Sequence, residues 1–210
     1  GNLLGASIAP DGQWRFPEGP AVPDKFKTAI IIFEDKRFNR HPGVDIMALA
    51  RALRQNWQAG KVVSGGSTLS MQVIRLARKN KSRTVWEKVM EIMLATRLEL
   101  RYSKAEILAL YAAHAPFGGN VVGLEAACWR YFGRDAADLS WAEAALLAVL
   151  PNNPALIHPG KNRMVLKQKR DLLLQRLLSN QVIDSTTFEL SIAESIPENP
   201  LPLPRLATHL

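Results

Sequence analysis

The chain has 210 residues and 47% of them are hydrophobic, which is enough for one large domain or two small ones with a buried core and excludes a disordered chain. Lys and Arg number 27 against 19 Asp and Glu, so the net charge is +8 and an anionic partner is expected: nucleic acid, a phosphate-bearing substrate or an acidic lipid surface. The single cysteine, Cys128, excludes an internal disulfide and a cysteine-based zinc cluster, and its apolar neighbours indicate a core residue.

The first predicted helix lies in "PDKFKTAIIIFEDKRF", with Asp24 as its N-cap. Its apolar residues share one face: Phe26, Ala29, Ile30 and Phe33. Before it, residues 1–23 are predicted to be irregular or a short β-hairpin. A second helix, in "DIMALARALRQNWQAG", runs from Asp45 to a stop at Gly60. Its apolar positions also face one way: Ile46, Leu49, Ala50 and Leu53.

Three later helices begin at a capping box, in which a hydroxyl residue is followed one turn later by a glutamate. The pairs are Thr84 with Glu87, Ser103 with Glu106, and Ser140 with Glu143. The helices that they open are predicted in "VWEKVMEIMLATRLELRY", "KAEILALYAAH" and "WAEAALLAVL", and two more follow in "LKQKRDLLLQRLLSNQ" and "STTFELSIAES". The tail "SIPENPLPLPRLATHL" has the proline density of a linker. The sequence therefore predicts a mostly α fold.

The segment "FEDKRFNRHPGVD" places two acids, Glu34 and Asp35, directly after the apolar run "AIIIF". On a helix, neighbouring side chains point about 100° apart, so only one of the two can face a cleft squarely. Glu34 follows Phe33 at the border of the apolar stripe, where partial burial suits a general base. Two solvated acids at a helix end are the alternative, and His41 is more typical of turn packing than of catalysis.

Two glycines precede Ser67 and Thr68 in "SGGSTLSMQ", where a further helix is predicted to begin. The amide groups and positive dipole end of a helix N-terminus form an anion site. The segment is not a P-loop, because the GK[ST] ending is missing. Its combination of glycines and hydroxyls favours ligand contact over a simple N-cap.

Basic residues then gather in "RLARKNKSRTVWEKVMEIM": Arg75, Arg78, Lys79, Lys81, Arg83 and Lys88. Such a run is usually a solvated face, but here it follows the predicted anion site directly and is accompanied by Glu91. Glycosyl transfer from a diphosphate needs such a set, because a carboxylate must take the acceptor's proton while fixed positive charge neutralises the leaving group. Glu34 is the predicted base, and the cations, with or without a divalent ion, are predicted to bind the diphosphate.

Five segments occur in the order of the motifs of a known family: "EDKRFNRHPGVD", "GGSTLSMQ", "SRTVWEKVMEI", "YSKAEILALY" and "KRDLLLQRL". Together they resemble the peptidoglycan glycosyltransferase domain, the lysozyme-like module of class A penicillin-binding proteins. The resemblance covers roughly Asp24 to Leu178. The segments "HAPFGGNVVGLEAA" and "LSWAEAALLAVLPNNP" are similar to one branch of that family.

The resemblance implies a role for each matching residue. Glu34 corresponds to the catalytic base that deprotonates the 4-hydroxyl of the acceptor's N-acetylglucosamine, and Glu91 to the second catalytic glutamate. The residues implied to contact substrate are Asp35, Phe38, His41, Gly66, Ser67, Thr68, Gln72, Arg75, Arg83 and Lys88. No metal ligand is assigned, and a divalent cation, Mg²⁺ or Mn²⁺, at the donor diphosphate is an open alternative.

The family's fold is mostly α and lysozyme-like with a membrane-associated jaw, which implies a glycosyltransferase domain over residues 24–195 and a jaw at roughly 45–64. The implied donor is a growing glycan chain on undecaprenyl diphosphate and the implied acceptor is lipid II, with inversion at the anomeric carbon. Residues 196–210 are expected to lead to a transpeptidase domain of the full-length protein. The expected location is the outer, periplasmic face of the bacterial inner membrane, with the transmembrane anchor outside this chain.

Three residues depart from the pattern of most members: Met71 replaces a glutamine, Glu87 an arginine and Ala113 an asparagine. They leave a weakly active module that binds lipid II or glycan as one alternative. A lysozyme-like peptidoglycan hydrolase is another, since it too uses acidic residues on a helical fold. A nucleic-acid-binding domain is disfavoured, because the basic residues accompany carboxylates and no helix has a base-reading pattern. We therefore predict no nucleic acid partner.

Overall fold

The structure is a computed structural model, and it describes residues 12–16, 21–61, 63, 65–79, 84–152, 159 and 162–202. Within these ranges the backbone is helical, with isolated β-bridges in place of a sheet, so the mostly α prediction is confirmed. The helices are α1 (Asp24–Glu34), α2 (Ile46–Ala59), α3 (Leu69–Ala77), α4 (Val85–Glu99), α5 (Lys104–His114), α6 (Leu124–Phe132), α7 (Trp141–Val149), α8 (Arg163–Ser179) and α9 (Ser185–Ala193).

The chain divides into two compact units. The first takes its described residues from Gly1–Phe33 and Ala112–Leu210, and the second is Glu34–Tyr111. The second unit therefore contains the whole of α2, α3 and α4 and nearly all residues predicted to carry chemistry. Across the described residues, no helix has both the length and the apolar character that crossing a bilayer requires.

The core of the first unit is built on α7. Every residue from Ala142 to Val149 is buried, and α7 packs against α8 and α9. A helix that is apolar on all sides has to be covered by its neighbours, and seven of these eight residues are Ala, Leu or Val. The exception, Glu143, is used in the cap, where Ser140 accepts from its amide while its carboxylate accepts from the Ser140 amide at 2.9 Å.

The fifth motif segment supplies a buried arginine to the same unit. Arg170 on α8 is 1% exposed, and its guanidinium donates to the backbone oxygens of Glu194 at 2.6 Å and Ile192 at 3.2 Å. It also donates to Asp171 at 2.9 Å, which compensates its charge. Because α9 ends at Ala193, these bonds satisfy carbonyl groups at and just beyond the C-terminal end of that helix. This segment therefore joins α8 to the end of α9.

The capping predictions hold to different degrees. The Ser140 box is complete, and Ser103 and Glu106 also bond reciprocally, from amide to carboxylate at 2.7 Å and from amide to hydroxyl at 3.3 Å. Thr84 accepts from the Glu87 amide at 3.1 Å, but the carboxylate of Glu87 is bound by an arginine of α3. The prediction of a full box at Thr84 is therefore corrected to a simple N-cap, because an ion pair takes the glutamate.

The sequence patterns do not predict α6. Its N-cap is Gly123, which has no hydroxyl to mark the helix start. Glycine is needed here for its backbone conformation. With φ at +92°, a Cβ added there would lie 2.8 Å from the Ala113 oxygen, so only glycine fits without strain. Cys128 is buried on this helix, which confirms it as a core residue, and burial raises the pKa of its thiol far above its ordinary value.

The helix α2 has the predicted bounds but not a buried apolar face. Asp45 accepts from the Ala48 amide at 2.8 Å, and Gly60 ends the helix in the left-handed conformation. Only Ala52 is buried along it. Most of its large apolar side chains are exposed, among them Ile46 at 76%, Met47 at 69%, Leu53 at 63% and Trp57 at 85%, and Leu49 is half-buried. The burial pattern of α2 is therefore not that of an ordinary core helix.

The two ends of the chain lie only partly within the described residues. Trp14 forms an isolated bridge with Val121, donating to Asn120 O at 2.8 Å and accepting from Val122 N at 3.0 Å. Near the other end, Leu201 donates to the backbone oxygen of Arg130 at 2.7 Å. Residues 1–11, 17–20 and 203–210 lie outside the description, so the predicted hairpin and linker stay predictions.

Candidate active site

The two adjacent acids diverge at the end of α1. Glu34 is the last residue of this helix, and its carboxylate accepts from Gln72 Nε2 of α3 at 2.8 Å. Asp35 lies just beyond the helix, where its carboxylate accepts from His41 Nε2 at 3.0 Å and from the Leu69 amide at 3.1 Å. Asp35 is buried, whereas Glu34 is half-buried. The two carboxylates therefore have different surroundings, and only Glu34 is on the helix. Which of them acts in catalysis stays a prediction.

The N-terminus of α3 is occupied by the chain's own groups. Leu69, its first residue, donates its amide to Asp35, and the Met71 amide donates to the hydroxyl of Thr68 at 3.2 Å. A carboxylate at this position is stabilised by the helix dipole. The prediction of an anion site at this helix start is therefore corrected, since the Leu69 amide binds an internal carboxylate and the Met71 amide binds the cap hydroxyl.

Two glycines let three segments of this unit approach one another. Gly43 has a φ of +93°, and a Cβ there would lie 2.7 Å from the backbone of Ala95 on α4. Its oxygen accepts from the Thr68 hydroxyl at 2.6 Å. A Cβ on Gly66 would lie 2.9 Å from the Cα of Leu49 on α2. The "HPG" turn therefore ends in glycine because backbone packs directly against backbone.

The fourth motif segment reaches back to the first through Lys104. Its ammonium donates to the backbone oxygen of His41 and to Glu99, each at 2.7 Å, and lies 4.5 Å from the centre of the Phe38 ring. Glu99 also accepts from the Ser70 hydroxyl. Sequence reasoning missed Lys104 and Glu99, since nothing in "YSKAEIL" indicates which distant segment its lysine binds.

A cationic cluster lies between α3 and α4, which pack against each other. Arg75 donates through Nε and Nη2 to the two carboxylate oxygens of Glu91, at 2.7 and 2.9 Å. Lys88 donates to Ser67 Oγ at 2.6 Å and to Glu91 Oε2 at 3.2 Å. Four residues predicted from two segments thus meet in one hydrogen-bonded group, with Glu91 buried at its centre.

The electrostatics of this cluster keep Glu91 ionised. Burial by itself raises the pKa of Glu91, but the hydrogen bonds and charges of Arg75 and Lys88 outweigh it, so the pKa lies below its ordinary value. The hydrogen bond to Glu91 raises the pKa of Arg75 against the opposing effect of burial, and the charge of Glu34 adds to the increase. Glu34 therefore lies within electrostatic reach of the cluster.

Glu34 also lies near a buried phenol that sequence reasoning did not select. Tyr111 on α5 is 1% exposed, and burial, followed by the charge of Glu34, raises the pKa of its hydroxyl well above the ordinary value. The carboxylate of Glu34 therefore has a protein-covered side in addition to its bond from Gln72. Partial desolvation of this kind makes a carboxylate a better proton acceptor.

A second ion pair lies one helical turn from the first. Arg78 of α3 donates through Nε and Nη2 to Glu87 of α4, at 3.0 and 2.9 Å. The hydrogen bond to Glu87 raises the pKa of Arg78, with burial acting in the opposite direction. Glu87, one of the three residues that depart from the family pattern, is thus the partner of a cation, a pairing that sequence spacing does not reveal.

The other predicted site residues differ in exposure. Four of them are buried: Asp35, Phe38, His41 and Thr68. Their side chains contact other parts of the protein, and direct contact with substrate stays a prediction. Gly66, Ser67 and Gln72 are half-buried. Arg83 lies outside the described residues.

The carboxylates of this site do not fit a metal held by the protein. Within the described part of the chain, no group of three or more His, Cys, Asp or Glu side chains converges as metal ligands would. Glu91 already receives Nε and Nη2 of Arg75 and Nζ of Lys88, so its oxygens are bound by cationic side chains.

Comparison with known proteins agrees with the order of the motifs. The transglycosylase family profile matches residues 10–178. The chain is 40% identical over 198 residues to penicillin-binding protein 1C of Escherichia coli K12, which covers 94% of this chain and 26% of that protein. It is 36% identical over 168 residues to penicillin-binding protein 1A of Aquifex aeolicus, which covers 80% and 23%. The chain spans about a quarter of the length of these relatives.

The branch that "HAPFGGNVVGLEAA" resembles is that of penicillin-binding protein 1C, and one of these relatives carries that name. A solved structure agrees in fold. Penicillin-binding protein 1A from Haemophilus influenzae has a TM-score of 0.51 and 19% identity to this chain, over 88% of this chain and 18% of that one.

We expect the unfolding free energy of Glu91→Gln to fall less than that of wild type as the pH is lowered. Because the folded pKa of Glu91 lies below its ordinary value of 4.5, its contribution is complete above about pH 4.5 and is lost as the pH falls through the lower folded value. At pH 7 the variant should lose about 2 kcal/mol of unfolding free energy, since Arg75 is left without its carboxylate, with part of the effect screened by solvent. Urea unfolding at several values between pH 3 and 7 measures both effects.

The matched control is Glu189→Gln, an exposed glutamate on α9, which should stay within about 0.5 kcal/mol of wild type at pH 7. If Glu91→Gln and wild type lose stability in parallel as the pH falls, the ionised Glu91 cluster does not exist in solution.

Proposed function

This chain belongs to the transglycosylase family, and we propose that it polymerises lipid II into the glycan strands of peptidoglycan. The observation that supports this proposal is the placement of the Glu34 carboxylate within electrostatic reach of a hydrogen-bonded cationic cluster, Arg75, Lys88 and Ser67, in one compact unit. Transfer of a sugar from a diphosphate requires a proton acceptor on one side of the anomeric carbon and fixed positive charge on the other.

Glu34 is the general base in this proposal. Gln72 orients its carboxylate with a bond of 2.8 Å, and the helix end and the buried Tyr111 nearby restrict its position. Asp35 is excluded from the role, because its oxygens accept from His41 and from the amide of Leu69 and are buried. Asp35 instead positions the two segments that carry Glu34 and Gln72.

Lys88 and Arg75 stabilise the departing diphosphate. As the bond from the anomeric carbon to the diphosphate oxygen breaks, the electron pair stays on that oxygen and negative charge grows. The Lys88 side chain is 33% exposed and its ammonium is held by Ser67 and Glu91, so it is oriented before the substrate arrives. Glu91, ionised under neutral conditions, orients the two cations and is not the proton donor to the leaving group.

The proposed step balances in atoms and charge. The 4-hydroxyl of the acceptor's N-acetylglucosamine gives its proton to Glu34, and its oxygen forms the new bond to the anomeric carbon of the donor. The donor's bond to diphosphate breaks from the opposite face, so the configuration inverts. The donor is the growing chain on undecaprenyl diphosphate, and the acceptor is lipid II.

A lipid-linked substrate requires a surface that reaches the membrane, and α2 has the properties of one. Its exposed apolar side chains, Leu53 and Trp57 among them, lie on a helix that also carries exposed Arg51 and Arg54. Basic amphipathic helices with a tryptophan bind at the headgroup layer of anionic membranes. We therefore assign the jaw, roughly residues 45–64, to the membrane surface.

The wider setting follows from the same proposal. The substrate places the reaction at the periplasmic face of the bacterial inner membrane. The chain matches about a quarter of the length of its relatives, which supports a transpeptidase domain in the same full-length protein. A binding module without turnover, which Met71, Glu87 and Ala113 together suggest, loses the support of Met71, because this side chain is 1% exposed and packs in the core rather than facing a substrate.

Glu34→Gln should reduce lipid II polymerisation by about a hundredfold or more, because an amide cannot accept the acceptor's proton. The amide oxygen can still accept from Gln72, so the fold and the melting temperature should be unchanged. Polymer formation from labelled lipid II measures the loss, and Glu189→Gln, which changes the same charge on α9, should polymerise at the wild-type rate. Wild-type turnover by Glu34→Gln would remove Glu34 from the role of base.

Lys88→Ala should slow polymerisation by about tenfold or more, since a charge-assisted contact to the leaving group is worth about 1.5 to 3 kcal/mol. Lys88→Arg should retain part of the rate because it keeps the charge. Circular dichroism and melting temperature should stay close to those of wild type, because the side chain is one-third exposed. Equal rates for Lys88→Ala and wild type would show that another cation binds the diphosphate.

The double variant Leu53→Gln/Trp57→Gln should bind vesicles of anionic phospholipid about tenfold more weakly than wild type, because it removes apolar area that enters the headgroup layer. Both side chains are exposed, so stability should not change. Leu190→Gln, which alters a leucine that is 69% exposed on α9, serves as the control in the same sedimentation assay. If the double variant bound vesicles as tightly as wild type, α2 would not be the membrane-binding surface.

A further inference from the structure

The helices α3 and α4 are joined by two ion pairs arranged as rungs. Arg78 follows Arg75 by one turn of α3, and Glu87 precedes Glu91 by about one turn of α4. Each arginine binds its glutamate through both Nε and Nη2, with four distances between 2.7 and 3.0 Å. The helices are therefore antiparallel at this contact, and the second rung lies about one turn from the site's cations.

The two rungs differ in what surrounds them. The Glu91 side chain is 9% exposed and also accepts from Lys88, so the first rung is closed around the catalytic cluster. In the second rung, Arg78 is 25% and Glu87 is 18% exposed, which leaves it more open to solvent and to an approaching ligand. The Arg75–Glu91 pair fixes the positions of the cluster's side chains, whereas the more exposed Arg78–Glu87 pair is accessible to a bound ligand.

A guanidinium bound by a carboxylate through two parallel bonds presents the same donors that a phosphate would use. Arg78 lies in the field of both Glu87 and Glu91, and its hydrogen bond to Glu87 is the largest cause of its raised pKa. Glu87 and a diphosphate bound next to Lys88 would therefore compete for one arginine. The negative charge of Glu87 offsets the positive charge that Arg78 would offer to a phosphate.

Building on the proposed function, we propose that Glu87 sets how tightly the site holds the donor's diphosphate, by withholding Arg78 from it. Glu87 follows Thr84 into α4 and immediately precedes Lys88, so it adds negative charge beside the leaving-group lysine. The pair weakens retention of the lipid diphosphate and favours its release after transfer. Glu87 is thus a determinant of donor affinity, acting through Arg78, and takes no part in the chemical step.

The test uses inorganic pyrophosphate as the probe, titrated calorimetrically into the folded chain at low ionic strength. Glu87→Gln should tighten binding about threefold to tenfold, because it releases Arg78 into a partly solvated site. Adding Arg78→Gln to Glu87→Gln should return the affinity to near the wild-type value. Glu189→Gln makes the same charge change on α9 and should leave the affinity unchanged.

A second readout follows turnover. With lipid II as substrate, Glu87→Gln should lower KM by a similar factor and lengthen the glycan chains made before release, whereas loss of a merely structural ion pair would lower the melting temperature without tightening binding. Affinity unchanged in Glu87→Gln, or tightening that persists in the double variant, overturns the inference.

Failure of the proposed function has a different signature in the same titration. If wild type does not bind pyrophosphate, or Lys88→Ala binds it as tightly as wild type, the diphosphate site itself is misplaced and the inference is overturned with it. If binding depends on Lys88 and does not respond to Glu87, only the inference is overturned. Circular dichroism of each variant confirms that the helices are retained.

Discussion

The second unit depends on the hydrogen bonds that the Asp35 carboxylate accepts. This carboxylate is buried, and it accepts from His41 in the turn that follows and from the first amide of α3. A buried carboxylate is tolerated only where such donors compensate it, so the position of Asp35 determines where the helix α3 can begin. Glu34 precedes it in the chain and Gln72 follows Leu69 on α3, and these two residues therefore meet.

The segments around Asp35 show how motif residues divide their work. The Thr68 hydroxyl donates to the Gly43 oxygen, and Lys104 donates to the backbone oxygen of His41 in the same turn. These contacts consist of short polar bonds and backbone packing, which tolerate little displacement. Such a scaffold holds the half-buried Glu34 and Gln72 in fixed positions, as a preorganised site requires.

Charge balance governs the other half of the site. Glu91 receives cations from both α3 and α4, so it stays ionised although it is buried. Cations that are already hydrogen-bonded to the protein need little reorganisation when charge develops on a leaving group. The same helices carry the Arg78 and Glu87 pair, so the number of cations available to a ligand depends on glutamates as much as on lysines and arginines.

Sequence by itself determined most of the helices and the kind of chemistry, because helix starts and stops depend on local signals, whereas α6 begins at a glycine that carries no such signal. The Asp45 cap, the Gly60 stop and the Ser140 capping box are examples, and Glu34, Lys88 and Glu91 were identified from motif order. Only the tertiary structure decided which charges meet. The anion at the start of α3 is Asp35, Glu87 binds Arg78, and the apolar side chains of α2 are exposed. These contacts join residues far apart in the chain, and spacing along a helix carries no information about a partner on another helix.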